Sequence, residues 1–470
     1  MSTLILGISG ARGIVDDGLD EEVAARLTAA FLQEVGVGPI VLGRDSRPSG
    51  PRLSGAVSAL LSAAGAEVRD LGIVPTPTVQ VAVEAAGARG GLVVTASHNP
   101  PAWNALKFVG PEGTFLAASR MKHLLAAFHR PPAEARAYLA AASSCRTAGT
   151  TAGAGPGTSA AGEEAIADHV ARICAGIDEE RIRACGLRVV VDGVHGAGPV
   201  LVSPLLAGLG VVITWIAGEP NGELPAHPEP RAERLAPLAR RVAEERAHLG
   251  FALDPDGDRC ALVLPDRVLG EEWTLPLCAY ARLMQGERGP LVANLSTSAM
   301  LDDVAQRFGV PLERTPVGEA HVVSRARAVG ALMAGEGNGG VIDPRVHWGR
   351  DAGVAIALLL ELAAGDGRPP GALEQALGTL TVRAMHKETL AVAPARFERL
   401  AARLRAAWGP PASEADGLKW VAGDAWLHLR PSNTEPIVRA IVEAPGETDA
   451  SDWLRRLRAL ADAESAESSR

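Results

Sequence analysis

The sequence predicts an α/β protein with a parallel or mixed sheet through most of its length, closed by a small α+β domain. Three observations carry that expectation. Short apolar runs of strand length alternate with segments of helical spacing, the pattern of a parallel or mixed sheet. The last segment changes texture, with strand patterns at 377–383, 417–421, 424–429 and 436–442 among helices near 393–406 and 449–463, as in a mainly antiparallel domain. The chain has 470 residues, and at about 150 residues per domain that suggests three or so domains.

Composition narrows the classes. Apolar residues make up 47% but aromatics only 4%, so the cores must be aliphatic, built from Ala, Leu and Val. The net charge of −9 argues against a nucleic-acid partner, while a locally basic pocket for an anion stays open. Cys145, Cys174, Cys185, Cys260 and Cys278 are scattered and form no Cys-x-x-Cys, which suggests reduced thiols in a cytoplasmic protein and no zinc site. No signal-peptide pattern stands at the N-terminus. The longest apolar run, Ala352 to Ala364, is interrupted by Gly353 and Glu361 and is too short for a bilayer. It reads as a buried helix, and no membrane partner is expected.

The elements follow in order. Residues 3–8 form a strand pattern that leads into Ser9-Gly10-Ala11-Arg12-Gly13. This is a tight loop able to bring N–H groups and one cation to an anion, or a plain turn. Helical spacing over 20–35 precedes a strand at 39–42, which runs into Gly43-Arg44-Asp45-Ser46-Arg47. A helix over 54–64, a strand over 67–71 and a helix over 75–86 lead to the apolar run Leu92 to Val94. Residues 146–162, rich in Gly, Thr, Ala and Ser, have nothing to pack and mark a domain boundary or a mobile surface loop. After helical spacing over 163–179, the strand 187–191 opens into Asp192-Gly193-Val194-His195-Gly196-Ala197-Gly198. These glycines lack the Gly-x-Gly-x-x-Gly spacing, so a glycine-rich turn with a structural His195 is preferred to a dinucleotide site. Strands at 249–253 and 291–295, helices over 271–285 and up to Phe308, the loop 315–319, a further helix and a strand near Leu332 complete the α/β part.

Four stretches carry chemistry. Ser97 ends the buried strand at the edge where open α/β sheets bind ligands, with Asn99 and Lys107 close by. It is a candidate nucleophile or phosphate carrier, or else a capping serine. Asp254-Pro255-Asp256-Gly257-Asp258-Arg259 sets three carboxylates at i, i+2 and i+4 on an extended segment, where they repel unless a cation joins them. An oxygen-only cluster suits Mg²⁺; a solvated acidic turn is the alternative. A calcium EF-hand loop is excluded, because Arg259 and Pro265 stand where it needs Gly and Glu. Glu336 and Asn338 in Gly335-Glu336-Gly337-Asn338-Gly339-Gly340 offer hydrogen bonds to two hydroxyls of a polyol, although glycine-rich turns are common. Arg430-Pro431-Ser432-Asn433-Thr434-Glu435-Pro436, with Arg439 beyond, offers charged, hydroxyl and amide donors to a phosphate, or is a polar hairpin loop. Together the four describe phosphoryl transfer to or from a polyol.

With these motifs in this order, the chain resembles the α-D-phosphohexomutases, the family of phosphoglucomutases, phosphomannomutases and phosphoglucosamine mutases. The similarity runs from Ser9 to Arg439. The resemblance implies three related α/β domains with mixed sheets and a C-terminal α+β domain around a central cleft, drawn at 1–155, 156–265, 266–378 and 379–470. It implies that Ser97 carries the phosphoryl group as phosphoserine. The group passes to a hexose phosphate to give a bisphosphate, which turns in the cleft and returns its other phosphate. Mg²⁺ would sit on Ser97, Asp254, Asp256 and Asp258 and neutralise charge on the transferring oxygens. Arg12, Lys107 and His98 would stand at the reacting group, with Arg44 and Arg259 in support. Thr315, Gly318, Glu336 and Asn338 would meet the sugar. Arg430, Ser432, Asn433, Thr434 and Arg439 would hold the phosphate that is not reacting.

There are departures from the family pattern. Ala11 stands where many relatives have Ile, Ala105 where Gly is usual, and Asn338 replaces the commoner Ser. Gly340 stands where several bacterial relatives carry a His thought to act as general base, which leaves that base unassigned. The Gly-Asn-Gly-Gly form with Gly349-Arg350-Asp351 is closer to phosphoglucosamine mutase-type sequences of archaeal style. Glucosamine 6-phosphate and 1-phosphate are the expected substrates, with mannose or glucose phosphates as the alternative. A phosphatase would use the same serine and metal but needs no second phosphate clamp. A non-catalytic sugar-phosphate binder would be expected to lose Ser97 or an aspartate. A monomer or homodimer is expected.

Overall fold

The computed structural model describes residues 3–147, 157–365, 367, 369–390, 392, 396–431 and 437–467. The first sheet is built from β1 (Ile5–Gly7), β2 (Gly10–Ile14), β3 (Ile40–Arg44), β4 (Val68–Ile73), β5 (Gly90–Val94) and β6 (Trp103–Val109). The second holds β7 (Arg188–Asp192), β8 (Val212–Ile216), β9 (Leu249–Leu253), β10 (Cys260–Val263) and β11 (Val268–Gly270). The third holds β12 (Leu291–Asn294), β13 (Leu312–Thr315), β14 (Met333–Glu336) and β15 (Gly340–Ile342). The fourth is made of β16 (Ala384–Leu390), β17 (Leu418–Ala422), β18 (Ala425–Pro431) and β19 (Val438–Ala444).

One arrangement recurs in the first three sheets. A central strand pairs in parallel with a neighbour on each side, and the third parallel strand turns back into an antiparallel fourth. The orders are β4-β3-β5-β6, β8-β7-β9-β10 and β13-β12-β14-β15. Helical crossovers such as Gly50–Ala63 and Thr76–Ala85 make the parallel pairings possible. Helices on the sheet faces explain why the central strands are apolar runs, as in Ile40-Val41-Leu42 and Val189-Val190-Val191, all buried. The repeat delivers three loops to equivalent places, each after the carboxyl end of a third strand. They are the serine loop (β5–β6), the aspartate loop (β9–β10) and the glycine-rich loop (β14–β15).

The three units are packed together rather than strung along the chain. The helix Ala352–Ala364 is buried along its whole length, and Asp351 caps it by accepting from the Gly353 and Val354 N–H groups. The other oxygen of Asp351 meets His169 Nε2 (2.7 Å) and His347 Nε2 (3.2 Å), and His169 Nδ1 meets Thr78 Oγ1 (3.0 Å). These four buried side chains tie all three units at one point.

Two expectations need correction, and a third needs it only where residues expected to pack against nothing do pack. Residues 10–14 form a strand, not a loop: β2 pairs with β1 and β6, so Arg12 is carried on a sheet. A Cβ at Gly10 would lie 2.3 Å from the Leu106 carbonyl oxygen, which is why glycine stands there. The strand expected at 377–383 lies instead at β16, in register from Ala384↔Ala444 to Leu390↔Val438. The alternation Thr379-Leu380-Thr381-Val382 resembles a strand, but Leu377 ends a helix and Leu380 packs into the core of the α/β units. Asp303 binds the Thr381 N–H and the Arg383 guanidinium, so this stretch is a tether. Of the low-complexity stretch 146–162, residues 148–156 lie outside the described residues. Thr158 bridges to Gly72, and Ser159 caps a helix that starts at Ala160.

Candidate active site

β5 ends at Val94 and the next turn carries Ser97 at φ +49°, a left-handed conformation rare for any residue but glycine. Such a conformation costs about 1–2 kcal/mol, and the loop is built to hold it. The Ser97 N–H donates to Thr95 Oγ1 (2.9 Å), and Thr95 donates to Asp45 (2.6 Å). Arg47 pairs with Asp45 through Nε (3.0 Å). It also donates to the carbonyls of Ser97 (2.6 Å), Asn99 (2.7 Å), Pro100 (2.8 Å) and Trp103 (3.0 Å). Asp45 and Arg47 are wholly buried. Sequence reasoning passed over both; the signal was a charged i, i+2 pair directly after a buried strand.

Ser97 Oγ donates to Asp254 Oδ2 (2.8 Å), and His98 Nδ1 lies 3.4 Å from the same Oγ. Asp254, Asp256 and Asp258 are fully buried, with a carboxylate oxygen from each within 4.8 Å of the others. Asp254 Oδ1 accepts the N–H groups of Asp258 and Arg259. Asp256 accepts from Lys107 Nζ (2.6 Å) and Thr76 Oγ1 (2.6 Å), and Asp258 from Arg350 Nη2 (2.5 Å). Burial, then Asp258 and Asp256, push the Asp254 carboxyl well above the usual range. Burial would raise Asp256 too, but the Lys107 ammonium and hydrogen bonds from Asp254, Lys107 and Thr76 hold it below. Asp256 Oδ1 and Asp258 Oδ1 are buried without a hydrogen-bond partner. These two oxygens, with no hydrogen bond beside a carboxyl that resists ionisation, leave donor positions open for a ligand. The donor set fits a hard divalent cation.

A cleft of about 540 Å³ opens over Ser97, lined among others by Arg12, His98, Lys107, Arg259, Gly318, Glu336, Asn338, Arg430 and Arg439. Arg12 donates to Asn99 Oδ1 (3.2 Å) and Arg259 to Glu229 (3.2 Å). Burial, then Arg259 and Arg12, push the His98 imidazole well below its ordinary value, so it stays neutral. Glu336 accepts from Asn294 Nδ2 (2.7 Å), the Gly318 N–H (2.9 Å) and Arg350 (2.6 Å). Asn338 Oδ1 accepts the Gly340 N–H (3.2 Å). Arg430 and Arg439 face each other across β18 and β19.

Five expected residues among those described are not on the cleft lining: Asp254, Asp256 and Asp258, which are buried and bonded to the lining residues Ser97, Lys107 and Arg350, and Arg44 and Thr315. Arg44 is buried beside Asp45 and Asp70, and Nη1 donates to the Asp45 carbonyl. Thr315 is buried and donates to the Pro316 carbonyl. Ser432, Asn433 and Thr434 lie outside the described residues. Besides Asp45, Arg47 and Arg350, sequence reasoning missed Glu272 and Lys387. Lys387 of β16 reaches Glu271 and Glu272, both at 2.8 Å, and joins the fourth unit to the cleft floor. Burial, opposed by Lys387 and reinforced by Glu271, pushes Glu272 up to about 7.

Comparison with known proteins agrees with this architecture. The phosphoglucomutase/phosphomannomutase alpha/beta/alpha domains I, II and III match residues 3–134, 167–267 and 271–379, and the C-terminal domain of the same family matches 382–460. A phosphoglucomutase/phosphomannomutase of Thermococcus kodakarensis is 32% identical over 466 residues, 96% of each chain. A phosphoglucosamine mutase of Halorhodospira halophila is 32% identical over 467 residues, 95% of each chain. The crystal structure of a phosphoglucomutase/phosphomannomutase family protein from Burkholderia thailandensis superposes with a TM-score of 0.77 at 26% identity, covering 98% of each chain. No helix among the described residues is long and apolar enough to cross a membrane. With all four domains matched in order, the chain belongs to the phosphoglucomutase/phosphomannomutase family and is a phosphohexomutase, an isomerase.

Proposed function

We propose that the protein interconverts glucosamine 6-phosphate and glucosamine 1-phosphate through a phosphorylated Ser97. The observation that carries this reading is Ser97 Oγ bonded to Asp254 of a buried aspartate triad, in the same cleft as a facing arginine pair. Asp254, Asp256, Asp258 and the Ser97 oxygen would hold Mg²⁺. Bound there, the ion supplies positive charge to the oxygens of the phosphoryl group in transfer. Lys107 and Arg12 bring further charge to that group. When the phosphoryl group passes from Ser97 to the sugar, the attacking sugar hydroxyl loses a proton and the departing Ser97 oxygen gains one. Neutral His98, with Nδ1 3.4 Å from Oγ, exchanges that proton with Ser97, and the reverse holds when the bisphosphate returns its other phosphoryl group. Glu336 and Asn338 read sugar hydroxyls, and Arg430 with Arg439 holds the phosphate that is not reacting.

Relatives named for glucosamine and for glucose or mannose are equally similar, so the sugar is decided by assay. Purified protein is offered the 1-phosphates of glucosamine, glucose and mannose in parallel coupled assays. A preference for glucosamine of tenfold or more is expected. Preference for glucose or mannose would overturn the substrate, and release of inorganic phosphate as the main product would overturn the mutase reading in favour of a phosphatase. Chelation should abolish turnover and added Mg²⁺ restore it. Full activity of Asp256→Ala in chelator would remove the metal from the reading.

A further inference from the structure

The aspartate loop and the glycine-rich loop belong to different units, and one side chain joins them. Arg350 follows β15, lines the cleft and is 8% exposed. Its guanidinium meets three carboxylates from three segments: Asp258 (Nη2–Oδ2, 2.5 Å), Glu336 (Nη1–Oε2, 2.6 Å) and Glu319 (Nε–Oε2, 3.0 Å). Burial works against its charge, yet these carboxylates hold it firmly protonated. Position 340 is its steric counterpart. A Cβ built on Gly340 would lie 2.3 Å from Arg350 Cδ and 3.0 Å from Cγ. The anchored stem of Arg350 therefore fills the space into which any side chain at 340 would project.

We propose that Arg350 is a positioning residue that couples the metal loop to the sugar loop, and that position 340 is glycine because Arg350 takes its space. The proposal rests on the phosphohexomutase reading of the cleft. On Asp258 the guanidinium is a rival cation for the metal. On Glu336 it is one of three donors, with Asn294 and the Gly318 N–H, that fix the carboxylate presented to the sugar. Removing it should therefore act on the two ligands in opposite directions. A side chain that only supports the fold would weaken both when lost.

The test uses the full chain, freed of phosphate, with Mg²⁺ and glucosamine 6-phosphate titrated separately by calorimetry. Arg350→Met should bind Mg²⁺ at least threefold more tightly and the sugar phosphate at least tenfold more weakly. Arg350→Lys keeps one positive charge and should show the same opposed pair at smaller size; it decides the matter if the Met variant does not fold. Weakening of both ligands, or no change in either, would overturn the coupling. The steric half is tested with Gly340→Ala, which should weaken sugar-phosphate binding at least tenfold in the parent but less than twofold in Arg350→Ala. Equal effects in both backgrounds would overturn it. If the parent itself binds no hexose phosphate, the substrate reading falls and takes the coupling with it; a parent that binds, with an unaltered Arg350→Met, sinks the coupling alone.

Discussion

The serine loop and the aspartate loop stand at the same place in two copies of one framework, yet they are held in opposite ways. Each turns from a third parallel strand into an antiparallel fourth. The serine loop is secured from within its own unit, by Asp45, Arg47 and Thr95. The aspartate loop is met largely from outside: Thr76, Ser97 and Lys107 come from the first unit and Arg350 from the third. A loop held internally keeps its geometry when units move apart. A loop held from outside keeps its charge balance only while the units are together, or while a cation takes the place of its partners. The proposed phosphoryl carrier thus sits on an internally braced loop, beside a carboxylate cluster that depends on charge from other units.

The largest effect should come from the nucleophile. Ser97→Ala should lower turnover by at least about 10⁴-fold, since the covalent carrier itself is gone. In the parent, mass spectrometry should find one added phosphoryl group, about 80 Da, on the peptide containing Ser97. Phosphate on a different residue of the turning-over enzyme would place the carrier elsewhere and dissolve the comparison.

A paired substitution sharpens the contrast between the loops. Arg47→Met leaves a buried carboxylate and four carbonyls without their donor. Breaking such a buried pair costs about 3–5 kcal/mol, read as a lower urea midpoint. Lys107→Met strips Asp256 of its cation in the same manner. There the metal can compensate: a ligand at 100 times its Kd adds about 2.7 kcal/mol. Saturating Mg²⁺ should therefore recover most of the stability lost in Lys107→Met and little of that lost in Arg47→Met. Recovery of both, or of neither, would show that the two loops are not held differently.

Much of this was legible in the sequence, for local reasons. The helix Ala352–Ala364 and the strand Leu249–Leu253 appear at the expected residues, because a largely apolar run bounded by polar or glycine residues defines its own ends. The four motifs were visible because each packs its chemistry into a few consecutive residues. The partners of those motifs were not visible. Arg350 reaches Asp258 across 92 residues and Lys387 reaches Glu271 across 116, distances over which no periodicity reports contact. Arg44 and Arg47 are alike in sequence, yet one packs beside Asp70 and the other grips the serine loop. Arg44 is the last residue of β3, whereas Arg47 lies in the loop beyond it.

The fourth unit extends the comparison, because it docks on the third through neutral and titratable groups. His428 Nδ1 accepts from Ser296 Oγ (2.8 Å) and Nε2 donates to the Asp416 carbonyl (2.6 Å), an arrangement satisfied by the neutral imidazole. Burial lowers its pKa to about 4, with Asp416 opposing and Lys419 and Arg430 assisting. The unfolded chain titrates near 6.5, so the docking contribution is full above that pH and is lost as pH falls through about 4. The loss is at most about 3 kcal/mol. Proteolysis of the C-terminal unit should accelerate between pH 6.5 and 4, and His428→Gln should flatten that dependence. An identical pH profile in the variant would mean that acid acts elsewhere.

The smallest effect concerns the arginine pair and separates a binding cation from a structural one. Arg430 and Arg439 are directly opposed on β18 and β19, and like charges so placed are destabilising unless an anion joins them. Arg430 Nε is buried without a hydrogen-bond partner among the described residues, with Asp416 only at 4.0 Å. A mutase must hold its sugar in two orientations against one reacting centre, so it needs a second phosphate site, and this pair is the one proposed for it. Loss of a charge-assisted hydrogen bond costs about 1.5–3 kcal/mol, or roughly ten- to a hundredfold. Arg430→Ala should raise KM and slow isomerisation by that much in both directions, and more bisphosphate should escape from the cleft. Its urea midpoint should change little, where that of Arg47→Met falls. Unchanged isomerisation would place the distal clamp elsewhere. A stability loss as large as that of Arg47→Met would make Arg430 a structural cation instead.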